Sequence, residues 1–234
     1  MLYLSRADIE GIAEKIITAY KAAFIPERRL CYRVDVLELA QMLGVRVDFQ
    51  RLTPDGSVLG ITTQEEACIT ILGDDGEPLM YYQDGSTVLV EKLLLHPKAT
   101  GRRNFTIAHE LAHKILHRMY PESCGAQQRL TCDYRRCDKP RKEVSNWYEW
   151  QADALAASML LPRDSILDYM FLFGLGEQMK VLSSRYSPNR YEAFCDMAAG
   201  LEVSRTALAY RMEQLGLLER NLLVQEAKAR RGVA

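Results

Sequence analysis

One helical stretch organises this chain: Thr106-Ile107-Ala108-His109-Glu110-Leu111-Ala112-His113-Lys114-Ile115-Leu116-His117. Residues four apart in an α-helix lie on one face, so His109 and His113 can direct two imidazole rings at the same metal ion. Glu110 follows His109 directly, which places its carboxylate beside such an ion, where it could hold a water molecule instead of coordinating. The HExxH spacing therefore predicts the site of a zinc hydrolase.

The predicted helix has clear signals at both ends and along one face. We expect Asn104 to cap its start, Pro121 to block its continuation, and an apolar stripe to face the core. Three of the four histidines of the chain lie on this helix, a clustering that disfavours an accidental match. The stripe consists of Phe105, Ala108, Leu111, Ala112, Ile115 and Leu116.

A catalytic zinc ion usually takes three protein ligands, so two histidines do not complete the site. His117 follows His109 by eight residues, which is about 12 Å along an unbroken helix, too far to share the ion. Zincins that use a third histidine have a glycine turn after the second one, and no glycine follows His113 here. The third ligand must come from elsewhere in the chain.

A second predicted helix, residues 149–161, offers that ligand. Glu149 and Asp153 lie four residues apart beside an apolar face, and a buried carboxylate without a partner is costly. We therefore predict Glu149 as the third metal ligand, and Asp153 as the acceptor of a hydrogen bond from the free ring nitrogen of a ligand histidine. The alternative, two solvated acids near a helix start, stays open at this point.

These residues carry a family resemblance. The pattern His109-Glu110-x-x-His113, followed by Glu149-x-x-Ala152-Asp153 and Leu160-Leu161-Pro162, resembles the ImmA/IrrE family of bacterial metallo-endopeptidases. Residues 103–108 and His117 match that family as well, and the resemblance covers roughly residues 30 to 162. It implies a gluzincin-like zincin fold with one catalytic Zn²⁺. It also implies cleavage of a partner repressor, which relieves transcriptional repression in a bacterium or mobile element.

The composition limits the classes of protein to which this chain can belong. The 234 residues are 48% hydrophobic, enough for a substantial core. A net charge of −1 and a pI near 6.5 show no excess of positive charge of the kind that binds nucleic acid or an anionic membrane. The polar start and the lack of any apolar run of about 18 residues predict a cytoplasmic protein. Its cysteines are then expected as free thiols or metal ligands.

The regions before the HExxH helix are predicted as two helices followed by a small antiparallel sheet on which that helix packs. The first helix starts after Ser5 and ends before Pro26, and the second ends at Gly44. A hairpin is expected at residues 84–86, and an edge of the sheet could bind an extended peptide by strand addition. The predicted segments are helices 6–25 and 34–43 and strands 45–49, 58–62, 67–72, 79–82 and 87–90.

Residues 118–146 connect the two predicted metal-binding helices and contain Cys124, Cys132 and Cys137 among many basic residues. Their spacing matches no common zinc pattern, so we predict a basic surface loop with free thiols. An auxiliary metal site or a redox switch is the alternative. A loop of this length could also cover the cleft or meet substrate.

The C-terminal region is predicted as helical. One helix runs from Asp164 to Phe173, another ends near Tyr186, and helices 188–199 and 205–215 are spaced as in a helix-turn-helix. Residues 185–220 carry five basic and five acidic groups, so direct DNA binding is not expected. Residues 221–234 are predicted to fray.

The sequence therefore predicts an α+β protein in two parts. Residues 1–162 form a zincin-like metallopeptidase domain, in which a small antiparallel sheet packs on the two zinc helices, and residues 163–234 form a helical segment. Zn²⁺ is held by His109, His113 and Glu149, and Glu110 takes a proton from the attacking water and passes it to the leaving amine. The expected substrate is a protein, a helix-turn-helix repressor. His117, Tyr148 or one of Tyr81 and Tyr82 could donate to the oxyanion.

Two other hypotheses remain. In the first, the protein is a non-enzymatic regulator whose metal is a sensor or a structural staple and whose C-terminal helices bind a partner. In the second, zinc and hydrolysis are kept, but the substrate is not a repressor. Glu110 separates the regulator from the enzymes, because a binding module does not need it.

Overall fold

The computed structural model describes residues 3–25, 31–121, 147–223 and 226, and the backbone of residues 132–135. Contacts divide the chain into two compact units. The first comprises residues 1–24 and 35–160, and the second comprises residues 25–34 and 161–234. The predicted division into domains at residue 162 stays a prediction.

The first unit begins with two helices, as predicted. Helix α1, Arg6–Phe24, starts with a reciprocal cap in which the amide of Asp8 donates to the Ser5 hydroxyl and the amide of Ser5 donates to the Asp8 carboxylate. Helix α2, Val36–Met42, is capped by Asp35, whose carboxylate accepts from the amides of Leu37 and Glu38. It ends before Gly44, which has a φ of 67° that favours glycine.

A four-stranded sheet and a separate hairpin follow. The sheet comprises β1 (Arg46–Gln50), β2 (Val58–Thr62), β5 (Thr87–Glu91) and β6 (Cys132–Arg135), in the order β1-β5-β2-β6. Strands β3 (Glu66–Leu72) and β4 (Pro78–Asp84) pair with each other along their length, and an isolated bridge joins Leu72 to Arg51. The pair β2/β5 is antiparallel, as predicted, but β1 and β5 are parallel. Strand β6, which was not predicted, pairs antiparallel with β2.

The predicted hairpin at residues 84–86 is wrong. The turn is present, but β4 pairs with β3, and β5 pairs with β1 and β2. Every residue of β5 is buried, whereas most of β4 is exposed. Strand β5 is therefore a central strand of the sheet, and a fully buried run of this kind does not identify its neighbours from local sequence.

The HExxH helix, α3, runs over Thr100–Met119 and is longer than predicted. Asn104 is not its cap but lies inside it, buried, because the 3₁₀ turn Pro97–Ala99 leads directly into the helix. Residues 106–116 are all buried, so α3 is a central helix rather than a surface helix with one apolar stripe. It packs against α2, β2, β5 and the second predicted metal-binding helix, α4 (Trp147–Leu160).

The second unit contains α5 (Arg163–Leu172), β7 (Met179–Leu182), α6 (Pro188–Gly200), α7 (Arg205–Gln214) and β8 (Leu218–Asn221). The two helices predicted with helix-turn-helix spacing are confirmed as α6 and α7. The helix predicted to end near Tyr186 is wrong, because its centre is strand β7, which pairs in parallel with β8. Gly174 and Gly176, both with positive φ, end the helical region before it.

Two further predictions, for the cysteine loop and the C-terminal tail, fall partly outside the described residues. Cys124 and Cys137 lie outside the described residues, whereas Cys132 begins β6, so part of the predicted loop is a strand. Residues 224, 225 and 227–234 of the predicted tail also lie outside. Glu226 lies within it and accepts hydrogen bonds from Ser183 and Ser184. No helix of the described residues is long and apolar enough to cross a membrane.

Candidate metal centre

His109 and His113 lie one turn apart on the buried part of α3. Their Nε2 atoms are 3.0 Å apart, and their rings meet edge to face with centroids separated by 4.6 Å. Both side chains are fully buried. The helical spacing predicted from sequence thus brings both imidazoles to one point in the interior of the first unit.

Glu149 reaches the same point from the first turn of α4. Its Oε2 atom lies 3.2 Å from Nε2 of His109, and its Oε1 atom lies 3.4 Å from Nε2 of His113. The ligand atoms of the three residues all lie within 4.8 Å of one another, close enough to hold one metal ion. Two imidazole nitrogens and one carboxylate oxygen form a donor set that suits a divalent transition metal with an open coordination position.

Asp153 lies one turn after Glu149 on α4 and contacts the opposite nitrogen of the first histidine. Its Oδ1 atom is 2.9 Å from Nδ1 of His109. A proton on Nδ1 that is directed at this carboxylate would leave Nε2 free to coordinate. The side chain of Asp153 is 37% exposed, so a half-buried carboxylate orients a fully buried ring.

The charges around the two histidines are unequal. Burial lowers the pKa of His109, but the hydrogen bonds that its imidazole donates to the Asp153 and Glu149 carboxylates outweigh burial and raise the pKa to about 9. For His113 burial dominates, and its pKa lies below the usual value. Burial would raise the pKa of Glu149, yet the two imidazoles hold it well below its usual range. The Glu149 carboxyl group beside the two rings is therefore ionised at neutral pH.

Glu110 is fully buried on α3, and strand β2 lies directly against it. A Cβ atom built on Gly60 would lie 2.7 Å from Oε1 and 2.9 Å from Cγ of Glu110, and 2.8 Å from Cγ2 of Thr106. Only glycine leaves room for the carboxylate at this position. Its negative charge also raises the pKa of His109.

Sequence reasoning missed Gly60. It pairs with Val90 of β5 on one side and with Tyr134 of β6 on the other, and a register shift separates it from Val58. A glycine inside a strand pattern commonly marks a bulge or a close approach of another group. That signal was available in the run Val58–Thr62.

Lys114 was also missed. This buried residue follows His113, and its ammonium group donates to the carbonyl oxygens of Thr63 at 2.9 Å and Gly85 at 2.7 Å. Thr63 follows β2 and Gly85 follows β4. A single cation on the metal-binding helix therefore holds both ends of the β3–β4 hairpin.

The candidate oxyanion donors lie in different places. Tyr148 is buried, and its ring packs on that of His113 with centroids 4.6 Å apart. The Tyr81 hydroxyl instead donates to Asp48 at 2.7 Å, and Tyr82 is 58% exposed on the hairpin. His117 lies one turn after His113, half-buried. Of the four candidates, Tyr148 lies directly against one of the two candidate metal-ligating histidines.

Comparison with protein families gives one match. The profile of the IrrE N-terminal-like domain, Peptidase_M78, matches residues 79–213, more than half of the chain. The chain belongs to the Peptidase_M78 family. The resemblance to the ImmA/IrrE family is thereby confirmed, although the match begins after residue 30 and continues beyond residue 162, through most of α7. The comparison with curated proteins finds no match.

Membership of Peptidase_M78 has direct consequences. The matched region contains α3 and α4, and therefore every residue of the His109, His113 and Glu149 group. The predicted α+β zincin-like class is confirmed by the family together with the mixed helices and sheets. The protein is a metallopeptidase by family, with polypeptides as its substrate class.

Proposed function

We propose that this Peptidase_M78 protein is a zinc endopeptidase, with His109, His113 and Glu149 as metal ligands and Glu110 as general base. One observation carries the proposal: two buried histidines of α3 and the half-buried Glu149 of α4 bring three ligand atoms within 4.8 Å of one another, and buried Glu110 follows His109 directly on α3. A purely structural zinc site would commonly have four protein ligands. Three ligands with an adjacent, non-coordinating carboxylate fit catalysis better.

Zinc suits this donor set because imidazole nitrogens with one carboxylate oxygen are its common ligands in hydrolases. A zinc ion held there would polarise the scissile carbonyl and lower the pKa of a water molecule. Asp153 fixes the ring of His109 by accepting from Nδ1, so that Nε2 points to the shared centre. The protein's contribution is thus a preorganised set of three ligands.

Glu110 is the group that accepts and then donates the proton in this mechanism. Its carboxylate takes a proton from the water that attacks the peptide carbonyl and then delivers that proton to the leaving nitrogen. The absence of a side chain at Gly60 leaves space for this carboxylate, because a Cβ atom there would lie 2.7 Å from its Oε1 atom. Tyr148 is the first choice for a hydrogen bond to the developing oxyanion, because it lies against His113.

The proposed substrate is a helix-turn-helix repressor in the cytoplasm of a bacterium, where cleavage would relieve repression. The motif resemblance to the ImmA/IrrE family supports this choice, and the family supports protein substrates in general. Direct DNA binding by this protein remains unexpected. Buried Arg211 on α7 donates to the carbonyl of Leu161, and Arg205 donates to the Tyr191 hydroxyl, so both arginines have internal partners.

The Glu110→Gln variant tests the proposal. The amide matches the carboxylate in shape, so the variant should fold and retain zinc, yet it cannot accept the water proton. Loss of a general base costs about 10²–10⁴ in rate. Parent and variant are incubated with a candidate repressor, with and without added zinc, and chain scission is followed by mass spectrometry. Cleavage by the parent alone supports the mechanism.

Equal cleavage by both proteins would remove Glu110 from the chemistry. If neither protein cleaves the repressor in the presence of zinc but both bind it equally, the non-enzymatic regulator is the correct description. Glu14→Gln is the matched control, because Glu14 is an exposed residue of α1 and its change should leave cleavage at the parent rate.

A further inference from the structure

The β3–β4 hairpin has two different faces. Its inner face packs on the sheet, where Ile71 belongs to a buried cluster with Leu89 and Val58, and Ile69 and Tyr81 pack against that cluster. Its outer face consists of the alternate residues of both strands, and nearly all of them are exposed. In register, the outer pairs are Glu66 with Asp84, Cys68 with Tyr82, Thr70 with Met80, and Leu72 with Pro78.

The middle of this outer face is apolar. Met80 is 63% exposed and Tyr82 is 58% exposed, and the exposed residues Cys68 and Pro78 lie beside them. Nothing among the described residues covers these side chains. An exposed apolar strip rimmed by polar groups is typical of a protein interaction site.

Both ends of the strip are acidic. Residues 63–86 contain no lysine, arginine or histidine and carry six carboxylates. Glu65, Glu66 and Asp84 lie at one end, and Asp74, Asp75 and Glu77 lie around the turn at the other, about 20–25 Å away at 3.3 Å per residue.

Only part of this charge is neutralised within the described residues. Asp84 pairs with Arg46, and Asp74 pairs with Lys92 at 3.1 Å, but no ion pair joins a cation to Glu65, Glu66, Asp75 or Glu77 there. Glu66 and Asp84 are directly opposite each other in the ladder, an arrangement of like charges that destabilises a hairpin. Asp84 and Asp75 also accept hydrogen bonds within their turns, from Ser86 and from the amide of Glu77. The charges of Glu65, Glu66 and Glu77 are not balanced by an ion pair among the described residues, and a positively charged partner would balance them.

The hairpin is attached to the metal-binding helix. Lys114, the neighbour of His113, donates to the carbonyls of Thr63 and Gly85, which flank the two strands. The Tyr81 hydroxyl adds a second anchor through Asp48 on β1. A partner bound to the outer face would thus be held on an element that is fixed to the catalytic helix.

We propose that the outer face of the β3–β4 hairpin is the docking surface for a protein partner that carries lysines and arginines on both sides of an apolar surface strip. Charge complementarity with the two acidic ends selects this occupant, and the apolar middle provides the desolvated contact. The proposal deepens the proposed function, because the bound partner is the protein that the peptidase cleaves. The DNA-binding face of a repressor has the required positive charge.

The probe is an 18-residue amphipathic helical peptide of leucine and lysine, labelled for fluorescence anisotropy. A peptide of the same design with glutamate in place of lysine is the control of opposite charge. All binding is measured in the Glu110→Gln background, so that peptide hydrolysis does not interfere. The parent sequence should bind the lysine peptide, more weakly at high salt, and should not bind the glutamate peptide.

Two hairpin variants test the apolar middle and the acidic ends of the outer face separately. Met80→Ser with Tyr82→Ser should weaken binding at least about tenfold, because it removes the apolar contact at the centre. Glu65→Gln with Glu66→Gln and Glu77→Gln should lower the affinity and flatten its salt dependence. Each hairpin variant has a matched control at exposed residues outside the hairpin. The control for the apolar variant is the double variant Leu172→Ser, Tyr186→Ser. The control for the acidic variant is the triple variant Glu14→Gln, Glu177→Gln, Glu192→Gln. They should bind as the parent does.

Equal affinity in the hairpin variants and the controls, or no binding of the lysine peptide, would overturn the proposal. Concentration-dependent dimerisation that the Met80 and Tyr82 variant abolishes would also overturn it, because the face then binds a second copy. Circular dichroism and zinc content check that each variant is folded. Hydrolysis of casein by the parent tests the peptidase separately: casein cleavage with unaltered peptide binding in the hairpin variants disproves the docking surface alone.

Discussion

A Cβ atom built on Gly60 of β2 would lie 2.7 Å from Oε1 of Glu110 on α3, so that any side chain at position 60 would overlap the Glu110 carboxylate. A strand glycine therefore determines where the proposed general base lies. The contact also explains why β2 can approach α3 so closely at this point: the strand has no side chain there.

Gly60→Ala is expected to reduce catalysis without removing the metal. The new methyl group would lie within 3 Å of Glu110, and a displacement of about 1 Å at a catalytic group can cost 10²-fold in rate. We expect kcat/KM to fall by about that factor, mainly through kcat, at unchanged zinc content. Steady-state kinetics with metal analysis provides the measurement.

Two further variants separate positioning from general damage. Gly11→Ala is the control, since a Cβ there has no neighbour within 4 Å, and its activity should equal that of the parent. Thr106→Ser combined with Gly60→Ala removes only the overlap with Cγ2 of Thr106, so stability should partly recover while activity should not. Parent activity in Gly60→Ala would show that Glu110 does not depend on this contact.

His113→Ala and Glu149→Ala are each expected to abolish stoichiometric zinc binding. Each change leaves two ligands in a site whose three donors lie within 4.8 Å of one another. His96→Ala is the matched control, because His96 is exposed and its Nδ1 atom accepts from the amide of Lys98. Inductively coupled plasma analysis of the purified proteins measures occupancy, and full occupancy in Glu149→Ala would exclude Glu149 as a ligand.

Asp153→Ala is expected to weaken zinc binding by about 10–100-fold, because His109 loses the acceptor of its Nδ1 proton. Asp153→Asn retains an oxygen acceptor without the charge and should recover part of the affinity. Competition with a chromophoric chelator gives both constants. If Asp153→Ala binds zinc as tightly as the parent does, Asp153 does not support the metal site and is a solvated acid near the start of α4.

Tyr81→Phe is expected to destabilise the protein by about 1 kcal/mol at pH 7, since a hydrogen bond to a partly exposed carboxylate is lost. Despite the opposing effect of burial, the hydrogen bonds from Gln50 and Tyr81 hold the pKa of Asp48 below its usual value. The contribution is therefore complete above the unfolded pKa near 4 and disappears as the pH falls through the lower folded pKa.

The same bond raises the pKa of Tyr81 to about 12, so its contribution is complete below the unfolded pKa of about 10 and is lost as the pH rises towards 12. Urea unfolding of parent and Tyr81→Phe at pH 3, 7 and 11 measures the difference. A stability difference that is the same at all three values would contradict this assignment.

The sequence by itself determined most of the helices and the spacing of the candidate metal centre, although the helix predicted before Tyr186 is wrong and α3 starts earlier than predicted. His109 and His113, like Glu149 and Asp153, are four residues apart, and helical periodicity is a local property that brings such residues to one face wherever the helix is located. The boundaries of α1, α2, α6 and α7 follow from local signals in the same way, such as the Ser5 and Ser204 caps and the glycine after α2.

The tertiary structure alone decided which strands pair and what touches Glu110. Strand β5 pairs with β1 and β2 instead of β4, and β7 pairs with β8, some 40 residues later. Such pairings, and the contacts of Gly60 with Glu110 and of Lys114 with the hairpin, join residues far apart in the chain. Local periodicity describes which side of a strand is buried but carries no information about its partner, so these features depend on the packing of the whole unit.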